Sequence, residues 1–156
     1  MKVGKEQHEK IEKRLKEMGY EVEVPVQIEY KGYQVSGKID ALDRKHNIIY
    51  EIKSFNLSNK GFKQLMVYRD LLYLTQGKEF KVGFILYRGD RLEFVRNFLY
   101  LPPLLEAWKL VTLVVDAMIV EGELIRIECE DCKYCLLRDK CKPQYKYTRD
   151  GLKKVY

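Results

Sequence analysis

Cysteine is absent from the first 128 of the 156 residues, and all four cysteines lie between residues 129 and 141. A chain of this length can bury well over half of the surface that it exposes when unfolded, so its core needs no disulfide. Cytoplasmic proteins rarely keep disulfides, although those of hyperthermophiles are an exception. The clustered thiols therefore indicate one metal-binding segment, with a pair of disulfides as the alternative.

Long hydrophobic runs are also missing. No apolar signal region opens the sequence, and the most apolar stretch, residues 98–120, is interrupted by two prolines and three charged residues: Pro102, Pro103, Glu106, Lys109 and Asp116. This pattern favours neither secretion nor a membrane span, so we expect a cytoplasmic protein. The abundance of Lys, Glu and Tyr is typical of a thermophile.

The chain has no internal repeat, low-complexity segment or clear linker, which predicts one compact domain. The core is expected over residues 1–127, with the cysteine segment and a basic tail over 128–156. Apolar periodicity predicts the order αβββαββα, an α/β fold of the α+β type with a mixed sheet. The predicted helices cover 4–18, 58–75 and 103–119, and the strands cover 21–30, 33–42, 48–54, 80–87 and 91–95.

Residues 33–54 predict a β-hairpin whose register is fixed by its apolar side chains. Alternation places four of them on one face in two cross-strand pairs: Ile39 with Ile52, and Ala41 with Tyr50. This register sets Asp40 opposite Glu51, and facing carboxylates repel each other unless a cation lies between them. Lys53 lies two residues after Glu51 and points to the same side.

Two carboxylates beside an ammonium group match the requirements of metal-assisted phosphodiester hydrolysis. Carboxylates bind Mg²⁺ or Mn²⁺, and the cation orients water and neutralises the transition state. Because one-third of the chain is charged, the same pattern also arises by chance on an exposed polar hairpin face.

Two helices add candidate residues. His8 falls on the apolar stripe of the first helix and so faces the interior, where the alternative is a hydrogen-bonded core histidine; the rest of the stripe is Ile11, Leu15 and Met18. In the second helix Gln64 and Tyr68 are four residues apart and share a face, so both could contact a nucleotide or a carboxylate.

The net charge of +6 lies entirely in the tail. Residues 1–132 carry 21 basic and 21 acidic side chains, whereas residues 133–156 carry 8 basic and 2 acidic ones, with four tyrosines among them. Cations for phosphates and rings for bases predict a surface for single-stranded nucleic acid. The alternative is a solvated tail without a partner.

Five ordered motifs resemble those of the RecB-like branch of the PD-(D/E)XK nucleases. They are "GKEQH" (4–8), "GKIDALD" (37–43), "YEIKS" (50–54), "QLMVY" (64–68) and "CKYCLLRDKC" (132–141). The last motif resembles the C-terminal cysteines of iron-sulfur members, above all the fourth CRISPR-associated protein family and its archaeal viral relatives. The resemblance covers nearly the whole chain and implies a restriction-endonuclease-like core.

The resemblance also implies roles for individual residues. The catalytic metal would be held by His8, Asp40, Glu51 and the Ile52 carbonyl; Lys53 would be the catalytic lysine; Gln64 and Tyr68 would form the motif that follows the core. Cys132, Cys135 and Cys141 would be three ligands of a [4Fe-4S] cluster. In those relatives the fourth cysteine precedes the histidine, whereas here Cys129 is the only candidate. Four cysteines can also hold zinc, which is the alternative metal.

These observations predict a metal-dependent deoxyribonuclease, as exonuclease or endonuclease, acting on single-stranded DNA or frayed ends. A non-cleaving relative that binds nucleic acid, such as a viral decoy or an adaptation-complex subunit, is the main alternative, and a small electron carrier is another. CRISPR spacer acquisition with other adaptation proteins, viral replication and DNA repair are all compatible settings. The sequence does not determine an oligomeric state.

Overall fold

A computed structural model describes residues 2–55, 59–120, 123–124, 127–128 and 145–154. Its first eight elements follow the predicted order αβββαββα. They are α1 (Lys2–Glu17), β1 (Glu21–Tyr30), β2 (Tyr33–Asp43), β3 (Ile48–Ser54), α2 (Asn59–Gln76), β4 (Lys81–Arg88), β5 (Arg91–Val95) and α3 (Glu106–Met118). The predicted fold class is therefore confirmed, with helix ends displaced by one to three residues.

Strands β1 to β5 form a single sheet in sequence order. Neighbours pair antiparallel except β3 and β4, which are parallel. Parallel neighbours need a crossover connection, and α2 supplies it. The sheet is thus mixed, as the sequence predicts.

The two faces of the sheet bury separate apolar clusters. On the α1 face the cluster contains Ile11, Leu15, Ala41, Ile48, Tyr50, Ile52 and Ile85. On the α2 face the larger cluster includes Ile39, Leu42, Ile49, Leu65, Met66, Tyr68, Leu71, Leu72, Val82 and Phe84. Each helix contributes one apolar stripe, so the sheet is covered by α1 on one side and α2 on the other.

The predicted stripe of α1 is correct for Ile11 and Leu15, which are fully buried, but wrong for Met18, which is exposed. Helix α1 ends at Glu17, and the Tyr20 amide donates to the Leu15 carbonyl at 2.9 Å. Gly19 has a φ of 91°, the left-handed conformation that closes many helices. Met18 lies in this closing turn and therefore leaves the stripe.

The alternation of side chains between the two faces of the sheet is interrupted in β1 and in β2. The interruption falls at Glu23 in β1 and at Asp40 in β2, which lie opposite each other. Val22 packs with the α1-face cluster and Val24 with the α2-face cluster, although residues two apart in a regular strand share a face. In β2, Ala41 lies in the α1-face cluster and Ile39 in the α2-face cluster. The prediction that Ile39 shares a face with Ala41 is therefore wrong, because it assumed a regular strand.

The backbone is irregular at this position, but the pairing register of β1 and β2 is the same on both sides of it. Glu23 has a φ of 49°, and the β1–β2 ladder passes from Val22–Ala41 to Val24–Ile39. Neither strand gains a residue relative to the other. The ladder between β2 and β3 runs from Asp43–Ile48 to Ala41–Tyr50, which confirms the predicted 41–50 register; the predicted 39–52 pair lies beyond it.

A buried pair of charged residues in α2 fixes the chain before α3. The two Asp70 carboxylate oxygens accept hydrogen bonds from the Leu105 and Trp108 amides, each at 3.0 Å. Arg69 donates to the Pro102 and Pro103 carbonyls at 3.0 and 3.1 Å. Asp70 thereby caps the first turn of α3 from another helix. No local sequence pattern predicts this pair, because its partners lie more than 30 residues away.

The chain divides into two compact units, Met1–Lys109 and Leu110–Tyr156. In the second unit, short strands form a pair, β6 (Ile119–Val120) with β7 (Glu123–Leu124), and a three-stranded sheet of β8 (Ile127–Glu128), β9 (Tyr145–Thr148) and β10 (Gly151–Lys154). The predicted domain limits, 1–127 and 128–156 within one domain, stay a prediction. Within the described residues, no helix is both long and apolar enough to cross a membrane.

We expect Asp70→Ala to lower the free energy of unfolding by about 3 kcal/mol, because it leaves Arg69 buried without its carboxylate and uncaps α3. Urea denaturation followed by circular dichroism measures this change. The exposed Glu79→Ala is the control and should change stability by less than about 0.5 kcal/mol. Equal stability of the two variants would show that Asp70 does not anchor α3.

Candidate active site

Asp40 lies at the irregular position of β2, and its carboxylate is held by the neighbouring strand. Its Oδ2 accepts a hydrogen bond from the Ile52 amide at 2.8 Å. This contact replaces a ladder bond between β2 and β3 with a side-chain bond. Asp40 is therefore fixed beside Glu51, as the predicted register requires, while its carboxylate remains partly exposed.

Glu51 is the buried acid of the site. Its side chain is 6% exposed and lies on the α2 face of β3, where the first turn of α2 covers it. Burial first, and then the negative charge of Asp40, raise the pKa of the Glu51 carboxyl from 4.5 to about 7. Lys53 acts in the opposite direction and lowers this pKa. The two facing carboxylates thus repel each other in the absence of a cation.

Lys53 supplies a positive charge beside this acid. Its Nζ lies 3.2 Å from Glu51 Oε1, yet 38% of the side chain is exposed. A Cβ on Gly61 would lie only 3.2 Å from Lys53 Cε and 3.7 Å from Glu51 Cγ. The absence of a side chain at Gly61 therefore lets the first turn of α2 approach both residues.

His8 reaches the site from α1. Its Nε2 is 3.9 Å from Asp40 Oδ2, and its other ring nitrogen, Nδ1, is 3.0 Å from Glu12 Oε1. The imidazole is thus between two carboxylates, consistent with the predicted inward orientation. Glu12 escaped the sequence analysis, although its position four residues after His8 places it on the same face of α1.

Gln64 and Tyr68 form a hydrogen-bonded pair in α2. Gln64 Nε2 donates to Tyr68 Oη at 2.6 Å, as their spacing suggests. The Tyr68 ring packs against the backbone of Gly37 in β2, where an added Cβ would come within 2.4 Å of the ring. The pair is therefore fixed against the strand that carries Asp40. Its predicted role in catalysis stays a prediction.

The donor set suits a hard divalent cation. Carboxylate and main-chain carbonyl oxygens are ordinary ligands of Mg²⁺ or Mn²⁺, whereas imidazole is more usual with other transition metals. Glu12 Oε1 is buried without a hydrogen-bond partner in the described part of the chain, and burial raises the pKa of its carboxyl. An excess of buried negative charge is what a cation would relieve.

Protein donors engage these acids in the structure itself: Ile52 N contacts Asp40, and Lys53 contacts Glu51. Among the described residues, no three His, Cys, Asp or Glu side chains lie close enough together to form a metal site. The four predicted cysteine ligands, Cys129, Cys132, Cys135 and Cys141, lie outside the described residues.

Sheet order, covering helices and the acid–lysine arrangement together define a restriction-endonuclease-like fold. Residues 1–87 match the family described as restriction endonuclease fold toxin 9, and the chain belongs to this family. The matched range contains all four of His8, Asp40, Glu51 and Lys53. The predicted fold and the resemblance to RecB-like PD-(D/E)XK nucleases are confirmed at this level. The family description names the restriction endonuclease fold, and restriction-like nucleases generally use Mg²⁺ or Mn²⁺.

Two solved structures are similar to the chain. One, "Crystal structure of SSO0001", shares 25% sequence identity with a TM-score of 0.49; the match covers 86% of this chain and 66% of that one. The other is named "Putative exonuclease", from Eubacterium rectale, with 15% identity, a TM-score of 0.44, and coverage of 78% and 52%. The chain thus spans 66% and 52% of their lengths. A comparison with curated proteins gives no match.

The raised pKa of Glu51 predicts a pH-dependent loss of stability in metal-free protein. The Glu51 carboxyl binds its proton more tightly in the folded state than in the unfolded state. Its favourable contribution to the free energy of unfolding is therefore complete below pH 4.5 and is lost as the pH rises to about 7. Relative to Glu51→Gln, we expect wild type to lose about 3 kcal/mol across this window. Urea denaturation in EDTA at several pH values measures the difference.

Glu9→Gln is the matched control, because Glu9 is exposed on α1 and the substitution removes the same formal charge. Its stability difference from wild type should stay nearly constant across the window. A constant difference for Glu51→Gln as well would contradict the raised pKa.

Proposed function

We propose that this chain hydrolyses phosphodiester bonds of single-stranded DNA or frayed DNA ends with Mg²⁺ or Mn²⁺. The observation that carries the proposal is the buried Glu51 carboxylate between the charge of Asp40 and the ammonium of Lys53. Burying one carboxylate beside another lowers the stability of the fold, and a purely structural role would not explain that loss. Phosphodiester hydrolysis, in contrast, requires both the carboxylates and the ammonium.

His8, Asp40, Glu51 and the Ile52 carbonyl would hold the metal. When bound, the ion polarises the scissile phosphate and makes a bound water more acidic. Asp40 is already oriented for this role, since its Oδ2 is fixed by Ile52 N. His8 approaches from α1, so the metal would be held by residues from the helix as well as from both strands.

Lys53 would act directly on the reacting groups. Its ammonium is fixed near Glu51 but is also accessible to solvent, so it can contact a phosphate oxygen and an attacking water. A fixed cation at that place stabilises the negative charge that develops in the transition state. Gln64, which is exposed on α2, would contact the nucleotide next to the scissile bond, and the buried Tyr68 would orient it through their hydrogen bond.

The basic tail would supply sequence-independent affinity for the DNA backbone. In the β9–β10 hairpin, Lys146 and Lys153 are cross-strand partners. The tail carries 8 basic and 2 acidic side chains, and an excess of cations binds a polyanion. Within the hairpin, Lys153 Nζ is 3.3 Å from Asp150 Oδ2. Tyrosines interleaved with the cations in the sequence favour unpaired bases as stacking partners.

Cys129, Cys132, Cys135 and Cys141 would hold a [4Fe-4S] cluster, with zinc as the alternative. Four thiols within thirteen residues can complete one tetrahedral set without help from the rest of the chain. The cluster would be structural, because metal ligation supplies folding free energy to a segment with few apolar residues.

The setting of the activity follows from its chemistry only in part. The family description names a toxin, so a toxic nuclease joins CRISPR adaptation, viral replication and repair as candidate roles. A catalytically silent binding relative is the competing proposal. The presence of all three of Asp40, Glu51 and Lys53 favours cleavage.

Lys53→Ala should reduce cleavage of an end-labelled single-stranded oligonucleotide by at least about 100-fold, because the transition state loses its fixed cation. The free energy of unfolding should change by no more than about 1 kcal/mol, since the lysine is partly exposed. Assays with Mg²⁺, Mn²⁺ or EDTA measure the metal requirement in parallel.

Lys38→Ala is the matched control, because Lys38 is an exposed lysine on β2 that pairs with Glu23. It should cleave nearly as fast as wild type. Full activity of Lys53→Ala would refute the assignment, and absence of cleavage by wild type with either metal would favour the silent binding relative.

Fresh anaerobic protein should be brown, with broad absorbance at about 400 nm from sulfur-to-iron charge transfer. Cys129→Ala should lose this absorbance or leave an unstable three-iron species, because no other cysteine can replace it. Iron and sulfide analysis gives the cluster content. Colourless protein with one zinc per chain would overturn the iron-sulfur proposal and leave the nuclease proposal intact; two disulfides in freshly lysed material would remove both metals.

A further inference from the structure

Glu12 lies on α1 one turn after His8, and its side chain is only 13% exposed. Its Oε1 is 3.0 Å from His8 Nδ1, whereas the opposite ring nitrogen, Nε2, lies 3.9 Å from Asp40 Oδ2. The imidazole thus has one nitrogen toward Glu12 and the other toward the proposed metal ligands. The proposed function gives Glu12 no role.

The buried oxygen of Glu12 needs a donor. Oε1 is buried and has no hydrogen-bond partner among the residues that the structure describes. A buried acceptor without a partner is costly to folding. His8 Nδ1 lies 3.0 Å from this oxygen, within hydrogen-bonding distance, so an imidazole protonated at Nδ1 would supply the donor.

We infer that Glu12 is a positioning residue, which accepts a hydrogen bond from the Nδ1–H of His8 and so leaves the Nε2 lone pair facing Asp40 and the divalent metal. This inference rests on the proposed function, in which His8 is a metal ligand. A histidine that ligates through one nitrogen commonly donates the other N–H to a carboxylate, which fixes the tautomer and strengthens the ligand.

The other histidine of the chain, His46, provides a comparison for His8. The chain has only two histidines, and His46 makes the same kind of contact, with Nδ1 2.7 Å from Asp43 Oδ2. His46 is 63% exposed and lies in the β2–β3 turn. Two imidazole signals in an NMR spectrum can therefore be assigned with one His8→Ala variant.

An ordinary ion pair between residues four apart in a helix stabilises the fold only slightly and does not act on metal binding. Three variants separate the two roles. Glu12→Leu removes the acceptor, Glu12→Gln keeps an acceptor oxygen without charge, and Glu9→Gln is the exposed control on the same helix.

Nitrogen-15 NMR of metal-free protein at about pH 8 reports the tautomer of neutral imidazoles. We expect the Nδ1–H form for His8 in wild type, Glu12→Gln and Glu9→Gln, and its loss in Glu12→Leu. Calorimetry should show Mn²⁺ binding about 10- to 100-fold weaker in Glu12→Leu than in wild type, with a smaller loss in Glu12→Gln. Glu9→Gln should bind Mn²⁺ like wild type.

A double-mutant cycle completes the test. If Glu12 acts through His8, Glu12→Leu should cause no further loss of Mn²⁺ affinity once His8 is alanine. Unchanged tautomer and Mn²⁺ affinity in Glu12→Leu, together with weaker binding in His8→Ala, would overturn the inference and leave the proposed function standing. Unchanged Mn²⁺ affinity in His8→Ala itself would overturn the ligand role of His8 and the inference with it.

Discussion

The change of face at Glu23 and Asp40 is the constraint on which the site depends. In a regular strand Asp40 would project to one face only, and residues from α1 and from the α2 face of β3 could not meet at it. Because both strands switch together, their ladder resumes in the same register on the far side. Asp40 therefore lies near His8 of α1, and it also lies beside Glu51. The side chain of Glu51 points toward α2.

This geometry concentrates negative charge in a partly buried place. The unfavourable interaction appears in the raised pKa values of Glu51 and Glu12, both caused first by burial. The apolar clusters on the two faces and the buried Asp70 anchor stabilise the fold around it. The protein thus tolerates local repulsion that Lys53 relieves only in part, as expected where function opposes stability.

Much of this was predictable because local patterns specify it. Apolar alternation and helical spacing gave the element order, and the Ala41–Tyr50 register brought Asp40 beside Glu51. The failures share a cause: each involves an irregular backbone or a long-range contact. Ile39 changes face because β2 is irregular, Met18 lies in a closing turn, and Asp70 caps amides 35 and 38 residues away. No local period encodes these features.

Two close approaches determine how α2 covers the site. At Gly37 the ring of Tyr68 occupies the place of a side chain, and at Gly61 the helix itself comes within contact of Lys53 and Glu51. Both glycines therefore matter because they lack a side chain, which lets a neighbouring group pack against their backbone. A larger residue at Gly37 would displace Tyr68 and its hydrogen bond to Gln64, whereas one at Gly61 would press on the lysine. The burial that raises the pKa of Glu51 thus depends on the sequence of α2 as much as on that of the strand.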